Sequence, residues 1–302
     1  MSATSTLQRG THVPTHQRRR PPRRRGPGLW EASPLTYLAL VLVTVLSIFP
    51  IIWAFLMATR TSTELYRVPP PFLPGGELVN NVSRVLTEQN GIFVRGLINS
   101  VIVSSVITVS VIFFSSLAGF AFAKLKFKGR NALLLSIIAT MMVPTQLAIV
   151  PLYIIMVQLK WTDSLQAVIV PFLVNGFGVF LMRQYAVAAI SDELLEAARV
   201  DGCTTWRMFW SIVMPALRPA MAVLGLLTFM TQWNEFIWPF VVLTPNNPTV
   251  QLSINTISAA NYSTDYSMVL ASTALAMLPL LVVFVIFGKQ IIGGIMEGAV
   301  KQ

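Results

Sequence analysis

The sequence predicts an all-α protein that crosses a membrane several times, and three observations support this fold class. The chain is 54% hydrophobic and only 11% charged, with a mean hydropathy of +0.67, whereas soluble domains carry about 25% charged residues. Several uncharged runs reach the ~20 residues that a helix needs to cross a bilayer. These runs are also far too long for the strands of a membrane barrel, which need about 9–11 residues.

Residues 1–34 differ from the rest of the chain because they are polar and rich in Arg and Pro, as in "HQRRRPPRRRGPG". Such a composition cannot bury a core, so we predict a disordered basic tail. Anionic lipid head groups and nucleic acid both suit a basic tail. Most of the excess positive charge flanks membrane segments, so we expect membrane lipid and no nucleic acid as the partner. The apolar run that follows is longer than the core of a cleaved signal peptide, so we do not expect this segment to be a cleaved signal.

Six apolar segments form the predicted transmembrane domain, residues 35–288. The predicted spans are 35–58, 97–123, 132–157, 165–182, 219–243 and 267–288. A polar loop, 183–218, separates the fourth span from the fifth, and a tail, 289–302, follows the sixth. Of the 22 Lys and Arg residues, 17 lie on the side that the two termini and this loop share. The positive-inside rule therefore places both termini and the loop in the cytoplasm.

The polar loop contains the stretch "ISDELLEAARVDG", which has the start and stop signals of a helix. Ser191 suits the N-cap, two acidic residues follow it, and Gly202 suits a left-handed C-terminal position. Thr204 or Thr205 can cap a second helix, "WRMFWSIVM", which we predict to stop before Pro215. The loop is therefore predicted to be a helix, a glycine turn and an amphipathic helix that leads into the fifth span.

The first loop helix presents a surface with little side chain. Ala197 and Ala198 are adjacent, so another protein can approach closely there, and charged Glu196, Arg199 and Asp201 surround them. A plainer interpretation is a connector that lies flat on the membrane. The helix–turn–helix outline is also similar to a DNA reader. Its second helix, however, is rich in Trp and Phe and leads into a membrane span, which argues against DNA.

The spacing of this loop resembles the EAA loop of bacterial ABC importer permeases. That pattern is EAA, three residues, Gly, nine residues, Ile, any residue, Leu and Pro. The matching residues, with Met in place of the usual Leu, are Glu196, Ala197, Ala198, Gly202, Ile212, Met214 and Pro215. The stretches "AGFAFAKLKFKGRN", "ATMMVPTQLAIVPLY", "WNEFIWPFVVL" and "IIGGIMEGAVKQ" are similar to the carbohydrate branch of the family, the six-span maltose-permease type. The resemblance covers nearly the whole chain after the basic tail.

The resemblance implies a type I ABC importer permease fold in a bacterial inner membrane, with a di- or oligosaccharide as cargo. The implied partners are a second permease subunit, two cytoplasmic ATPase subunits that bind ATP and Mg, and an extracytoplasmic solute-binding protein. No cofactor or metal is expected on this chain. The polar loop is implied to couple the ATPase to the spans, through Glu196, Ala197, Ala198, Arg199, Asp201, Gly202 and Pro215.

The sequence argues against an enzyme. It contains no GxxxxGK[ST] phosphate loop, and its two His residues, His12 and His16, both lie in the basic tail. We therefore expect ATP hydrolysis in a partner subunit. The alternative function is a secondary transporter or channel for a small polar solute. An inverted repeat or several charges within the membrane would favour that alternative, but no repeat is evident and the spans contain one charge.

That charge is Glu235, and ionisable residues within spans usually face the interior of the bundle or water. Its neighbours Gln232, Trp233 and Asn234 add amides and an indole, a combination that suits a sugar pathway. The same residues also suit an aromatic belt near the outer interface. In the fourth span, Asn175 stands beside two glycines, which indicates either a pathway kink or close helix packing.

The outer segment 244–266 is rich in Asn, Ser and Thr and carries one charge, which is typical of a solvated loop. The resemblance implies that it contacts the solute-binding protein. The candidate contact residues are Asn246, Asn247, Asn255, Asn261 and Tyr262. The tail 289–302 is either a frayed end or, as the resemblance implies, a segment that reaches toward the ATPase.

Overall fold

A computed structural model describes residues 33–69, 71–259 and 264–299, and the side chains up to residue 288. Every regular element in these ranges is helical. In chain order the α-helices are α1 Pro34–Met57, α2 Ser62–Leu65, α3 Leu78–Thr87, α4 Ile92–Lys124, α5 Arg130–Thr140, α6 Ile149–Gln158, α7 Leu165–Ile169, α8 Gly176–Ala189, α9 Asp192–Val200, α10 Thr205–Met208, α11 Met214–Ala216, α12 Arg218–Asn234, α13 Ile237–Val242, α14 Val250–Ala259 and α15 Tyr266–Ala299. Almost all of the predicted basic tail, and the candidates Asn261 and Tyr262, lie outside the described residues.

The apolar helices fall into four continuous segments and two bent ones. Four segments of the described chain are long and apolar enough to cross a membrane, namely Pro34–Met57, Gln89–Lys124, Leu165–Ala189 and Tyr266–Gly288. Two helix pairs meet the same test only together. Arg130–Thr140 and Thr145–Gln158 are bent by 88°, and Thr205–Ala216 and Arg218–Asn234 are bent by 75°. The described residues thus provide four to six spans.

The third and fifth predicted spans differ from straight helices. After α5, residues 141–144 turn the chain into a 3₁₀-helix, Thr145–Ala148, that precedes α6. Pro144 ends the regular hydrogen-bonding pattern here because proline has no backbone N–H. The fifth span is interrupted at Glu235 and Phe236, between α12 and α13. Both the third and the fifth predicted spans are therefore interrupted within their apolar runs.

The second helix of the polar loop is longer than predicted. It runs through α10, a π-helical turn at Phe209–Val213 and α11, so it passes Pro215 and ends at Ala216. Pro215 lies just after the π-helical turn of this continuous helix, so the wider turn occurs where the proline has no backbone N–H to donate. The bend therefore follows the proline rather than preceding it.

The outer segment 244–266 is not simply a solvated loop, because it contains α14. Val250, Leu252 and Ile257 of this helix are buried. The backbone N–H of Val250 donates to the Ser100 hydroxyl over 2.8 Å, which fixes the start of α14 against α4. The high Asn, Ser and Thr content concealed apolar residues at helical spacing.

The chain divides into two units, Met1–Phe49 and Pro50–Gln302, and α1 begins in the first and ends in the second. In the second unit α4 is the central helix, and it packs against α8, α12 and α14. Gly119 allows α4 and α8 to approach closely. A Cβ atom at Gly119 would lie 2.7 Å from the backbone N of Arg183 and 2.8 Å from the carbonyl carbon of Met182. Small residues at such contacts are typical of helix packing in membranes.

Candidate functional site

The first helix of the polar loop, α9, is capped at both ends by its own sequence. The Ser191 hydroxyl accepts the backbone N–H of Leu194 over 3.3 Å. At the other end Gly202 has a φ of +77°. The N–H of Gly202 donates to the carbonyl of Arg199 over 3.0 Å, and the N–H of Cys203 donates to the carbonyl of Ala198 over 2.9 Å. These two bonds form a Schellman motif, in which glycine is the preferred left-handed residue.

The two alanines of the loop face opposite ways. Ala198 is buried together with Leu195 in the main apolar core, whereas Ala197 is exposed. Glu196 and Arg199 are exposed beside Ala197, and Val200 is 88% exposed. The small-residue surface predicted from two adjacent alanines is therefore formed by Ala197 alone. The exposed Val200 side chain, which was not predicted as a site residue, extends this surface by an apolar residue.

The second part of the loop is fixed to α4 by aromatic rings. Phe209 is buried and packs against Trp206 with ring centroids 5.7 Å apart and against Phe120 of α4 at 6.1 Å. Trp210 stacks on Phe113 of α4 at 6.1 Å. Aromatic pairs at these distances stabilise by about 0.5–1.5 kcal/mol beyond the area they bury. The loop is therefore a packed element rather than a loose connector.

An ion pair joins the start of α9 to the end of α4. The Nζ of Lys124 lies 2.8 Å from the Oδ1 of Asp192, and only 9% of the Lys124 side chain is exposed. Its hydrogen bond and positive charge lower the pKa of the Asp192 carboxyl, and the charge of Lys126 adds to this effect. The N-terminal end of α9 is thereby held to the helix that forms the centre of the bundle.

The residues of the outer candidate set lie in different environments. Asn246 and Asn255 are exposed. Asn247 instead belongs to an internal network, in which its Oδ1 accepts from Asn99 over 2.9 Å and its Nδ2 donates to the carbonyl of Asp163 over 3.0 Å. Two of the three described candidates are thus available for a partner, and the third fixes the start of the outer segment.

A carboxylate at the start of α15 holds the short helices α2 and α3. Asp265 forms an ion pair with Arg84 at 2.7 Å and accepts hydrogen bonds from Ser62 and Ser267. Partial burial by itself raises the pKa of Asp265, but the hydrogen bonds from Ser267, Ser62 and Arg84 outweigh it and hold this pKa well below its usual range. Asp265 is therefore ionised at neutral pH and binds three separate elements.

A cavity of about 400 Å³ lies between the interrupted third and fifth spans. Its polar lining comes from Thr145 and Gln146 of the 3₁₀-helix and from Glu235 at the break after α12. Glu235 is partly buried, and its Oε1 accepts the backbone N–H of Trp238 over 3.1 Å. The remaining lining residues are apolar or aromatic. Concave, largely apolar sites with a few polar groups are typical of small-molecule binding.

Of the predicted pathway residues, only Glu235 lines this cavity. Trp233 is buried in the core, where its Nε1 donates to the carbonyl of Ala276 over 3.1 Å. Asn234 is exposed and bonds the carbonyl of its own helix one turn earlier, and Gln232 is partly buried. Asn175 caps α8, because its Oδ1 accepts the N–H of Gly178 over 2.6 Å.

Thr145 and Gln146 were not among the site residues predicted from the sequence. The signal that could have found them is a polar pair directly after Pro144, within a run that is otherwise apolar. Non-helical backbone at membrane depth is tolerated where it is buried in protein or lines a water-filled cavity. Polar residues next to such a break are therefore candidates for a pathway.

A bundle of kinked apolar helices with a polar-lined cavity, and a capped, partly exposed helix between two spans, defines a membrane-embedded permease. The chain belongs to the family of binding-protein-dependent transport system inner membrane components, whose sequence profile matches residues 111–292. This confirms the family expected from the spacing of the loop.

The relatives are permease proteins of transport systems. The chain is 34% identical to the arabinooligosaccharides transport system permease protein of Halalkalibacterium halodurans, over 86% of this chain and 93% of that protein. It is 34% identical to the lactose transport system permease protein of Rhizobium radiobacter, over 88% and 95%. It is 30% identical to the sn-glycerol-3-phosphate transport system permease protein of Escherichia coli, over 85% and 94%. The chain is therefore a permease subunit of an ABC importer and not its ATPase.

The fold is similar to that of a solved bacterial ABC transporter involved in the import of the acidic polysaccharide alginate. The TM-score is 0.74 at 22% sequence identity, and the match covers 84% of this chain and 94% of that one. At this level of identity the likeness concerns the fold alone. The long central α4 and the surrounding helices thus form an ABC importer permease fold.

Proposed function

We propose that this chain spans the membrane six times with both termini in the cytoplasm and forms half of the pathway of an importer for a di- or oligosaccharide. A second permease subunit provides the other half. Two cytoplasmic ATPase subunits, which bind ATP and Mg, drive the cycle, and an extracytoplasmic binding protein delivers the sugar. The bias of Lys and Arg toward one side supports this orientation. Relatives named for arabinooligosaccharides and lactose support the cargo.

The observation that carries the proposal is the division of α9 into two faces. Leu195 and Ala198 are buried in the bundle, whereas Glu196, Ala197 and Val200 are exposed on the other side. An exposed apolar side chain between small and charged residues suits a protein partner better than water. We therefore assign the loop 183–218 as the coupling loop and the exposed face of α9 as the surface that docks on the ATPase.

The contacts of the loop explain how movement of the ATPase reaches the spans. The Lys124–Asp192 pair joins the start of α9 to α4, and the Schellman turn at Gly202 joins its end to the second loop helix. Phe209 and Trp210 then pack on the rings of α4. Closely packed elements move together rather than deform, so a displacement of α9 is passed to α4 at two points.

Reconstitution tests the function directly. The complete importer, with its second permease, ATPase and binding protein, is placed in liposomes, and uptake of radiolabelled arabinooligosaccharides and lactose is measured with and without ATP. Uptake of at least one sugar that requires both ATP and the binding protein is the expected result. Uptake driven by an ion gradient without ATP would instead establish the secondary-transporter alternative and refute the proposal.

The single cysteine of the chain tests the orientation without engineering. Cys203 is free and partly exposed, and it lies directly after Gly202 in the proposed coupling loop. A membrane-impermeant maleimide is expected to label Cys203 in inside-out vesicles and not in intact cells. A cysteine introduced at Asn255 in a Cys203→Ser background is the matched control and is expected to show the opposite pattern. Labelling of Cys203 in intact cells would place the loop outside and refute the coupling role.

A further inference from the structure

The cavity between the third and fifth spans combines two helix breaks in one place. The 3₁₀-helix Thr145–Ala148 contributes one part of the lining, and the break at Glu235 that precedes α13 contributes another. Interrupted helices in transporters typically form substrate sites, because their freed backbone groups and polar side chains face a cavity. The volume of about 400 Å³ is within the range of small-molecule sites.

Two side chains of the cavity, Glu235 and Gln146, have hydrogen-bonding groups without a partner among the described residues. The Oε1 of Glu235 accepts the N–H of Trp238, while its Oε2 has no hydrogen-bond partner among the described residues. The Oε1 of Gln146 accepts weakly from the Thr145 hydroxyl at 3.5 Å, and its Nε2 has no partner in the described chain. A sugar hydroxyl can donate to the carboxylate and accept from the amide. The apolar and aromatic lining suits the C–H faces of a sugar ring.

The charge of the cavity is negative and uncompensated. Glu235 is the one charged residue among the described lining residues, and no Lys or Arg is part of that lining. A phosphate or uronate group in this space would lie close to a carboxylate with no neighbouring cation. Like charges repel, and no cation in the described lining offsets this repulsion. Neutral hydroxyls meet no such repulsion.

We propose that this cavity binds a neutral sugar unit of the cargo, with Gln146 and Glu235 as its polar contacts, and that the Glu235 carboxylate excludes anionic sugars. The inference rests on the proposed function and adds the side chains that select the substrate. On this proposal, the negative charge of the cavity distinguishes this chain from importers that carry acidic cargo.

Glu235 also supports the start of α13 through its bond to Trp238, so the variants must separate this structural role from the charge. Glu235→Gln keeps an oxygen for that bond and removes only the charge. Glu235→Ala removes both. Gln146→Ala removes the amide donor from an exposed side chain, and Gln158→Ala is the matched control because Gln158 is an exposed amide outside the cavity.

The test uses photolabelling of the purified permease–ATPase complex without the binding protein, so that the selectivity of the binding protein does not intervene. The probes are lactose bearing a diazirine and the same probe with a uronic acid in place of the galactose unit, both at millimolar concentration. In the wild type we expect the neutral probe to label peptides that contain Gln146 or Glu235, and the anionic probe to label them at least about tenfold less. Glu235→Gln should bring the two probes to within about twofold. Gln158→Ala should match the wild type.

An unchanged ratio of neutral to anionic labelling in Glu235→Gln, or labelling confined to other peptides, would overturn the inference. A second readout is the amount of sugar transported per ATP hydrolysed. Gln146→Ala should lower it while stimulation of the ATPase by the sugar-loaded binding protein remains. An unaltered ratio of sugar to ATP would contradict a role for Gln146. If the wild-type importer shows no ATP-dependent sugar uptake, the proposed function is refuted instead. The photolabelling result does not depend on that outcome, so the two failures can be told apart.

Discussion

Substitutions of Gly202 test whether this glycine is required for the turn that follows α9 or for close approach of the docked partner. The φ of Gly202 is +77°, and a Cβ atom there would meet no atom within 4 Å. A side chain therefore costs only backbone conformational energy in the free permease, about 1–2 kcal/mol for most residues. This corresponds to about a tenfold lower equilibrium constant for forming the native turn, since 1.4 kcal/mol is a factor of ten. Valine is expected to lie at the high end of this range because it is β-branched, and asparagine at the low end because it tolerates the left-handed region.

The assay is ATP-dependent sugar uptake by the reconstituted importer, normalised to the permease present in the membrane. Gly202→Val is expected to lower the coupled uptake most, by up to about tenfold, Gly202→Ala less, and Gly202→Asn least. The order follows backbone tolerance rather than side-chain size, because asparagine and valine are both larger than alanine. If Gly202→Asn were as inactive as Gly202→Val, close approach of the partner would explain the glycine better than its φ. Full uptake by Gly202→Val would refute the reasoning altogether.

Three further predictions concern the exposed face of α9, the packing of the bundle and the outer ion pair. Glu196→Lys should abolish uptake and weaken co-purification of the ATPase while the permease reaches the membrane in normal amount; normal uptake would contradict the docking role. Gly119→Leu should lower the unfolding temperature in detergent, because its side chain meets the backbone at Arg183 and overpacking costs about 1–3 kcal/mol; an unchanged temperature would show that the helices can separate freely. Asp265→Asn should be less stable than the wild type at pH 7. Because the folded pKa of Asp265 is lowered, its pairing with Arg84 stabilises the fold fully above about pH 4 and loses this effect progressively as the pH falls further. The difference in stability between the two proteins should therefore narrow steadily below about pH 4; a constant difference would exclude this ion pair as the cause.

The two ends of α9 were predictable from the sequence, because helix capping depends on residues that are close together in the chain. Ser191 and Gly202 were expected at the two ends of the helix, and the structure has the Ser191 cap and the left-handed Gly202. Capping and glycine turns follow from the chemistry of single residues and the backbone. The second loop helix was predicted less well, because Pro215 was expected to end it, whereas the helix continues through the proline after a π-helical turn.

The cavity was only partly predictable. Glu235 stood out because an ionisable residue is costly inside an apolar span. Its partner Gln146 did not, because neutral polar residues in spans are common and the break at Pro144 could not be read from composition. Prolines are tolerated within membrane helices when neighbouring groups satisfy the freed backbone. Whether a given proline interrupts a helix therefore depends on what packs beside it.

By itself the sequence determined that the chain is a helical membrane protein, which residues cap the first helix of the polar loop and which family it belongs to. These properties follow from hydropathy, local capping and spacing along the chain. Only the tertiary structure decided which side of each membrane helix faces the core: Trp233 is buried, whereas Asn234 is exposed and Glu235 lines a cavity. The physical reason is that lipid and protein interior are similarly apolar, so a membrane helix carries little amphipathic signal for its rotation.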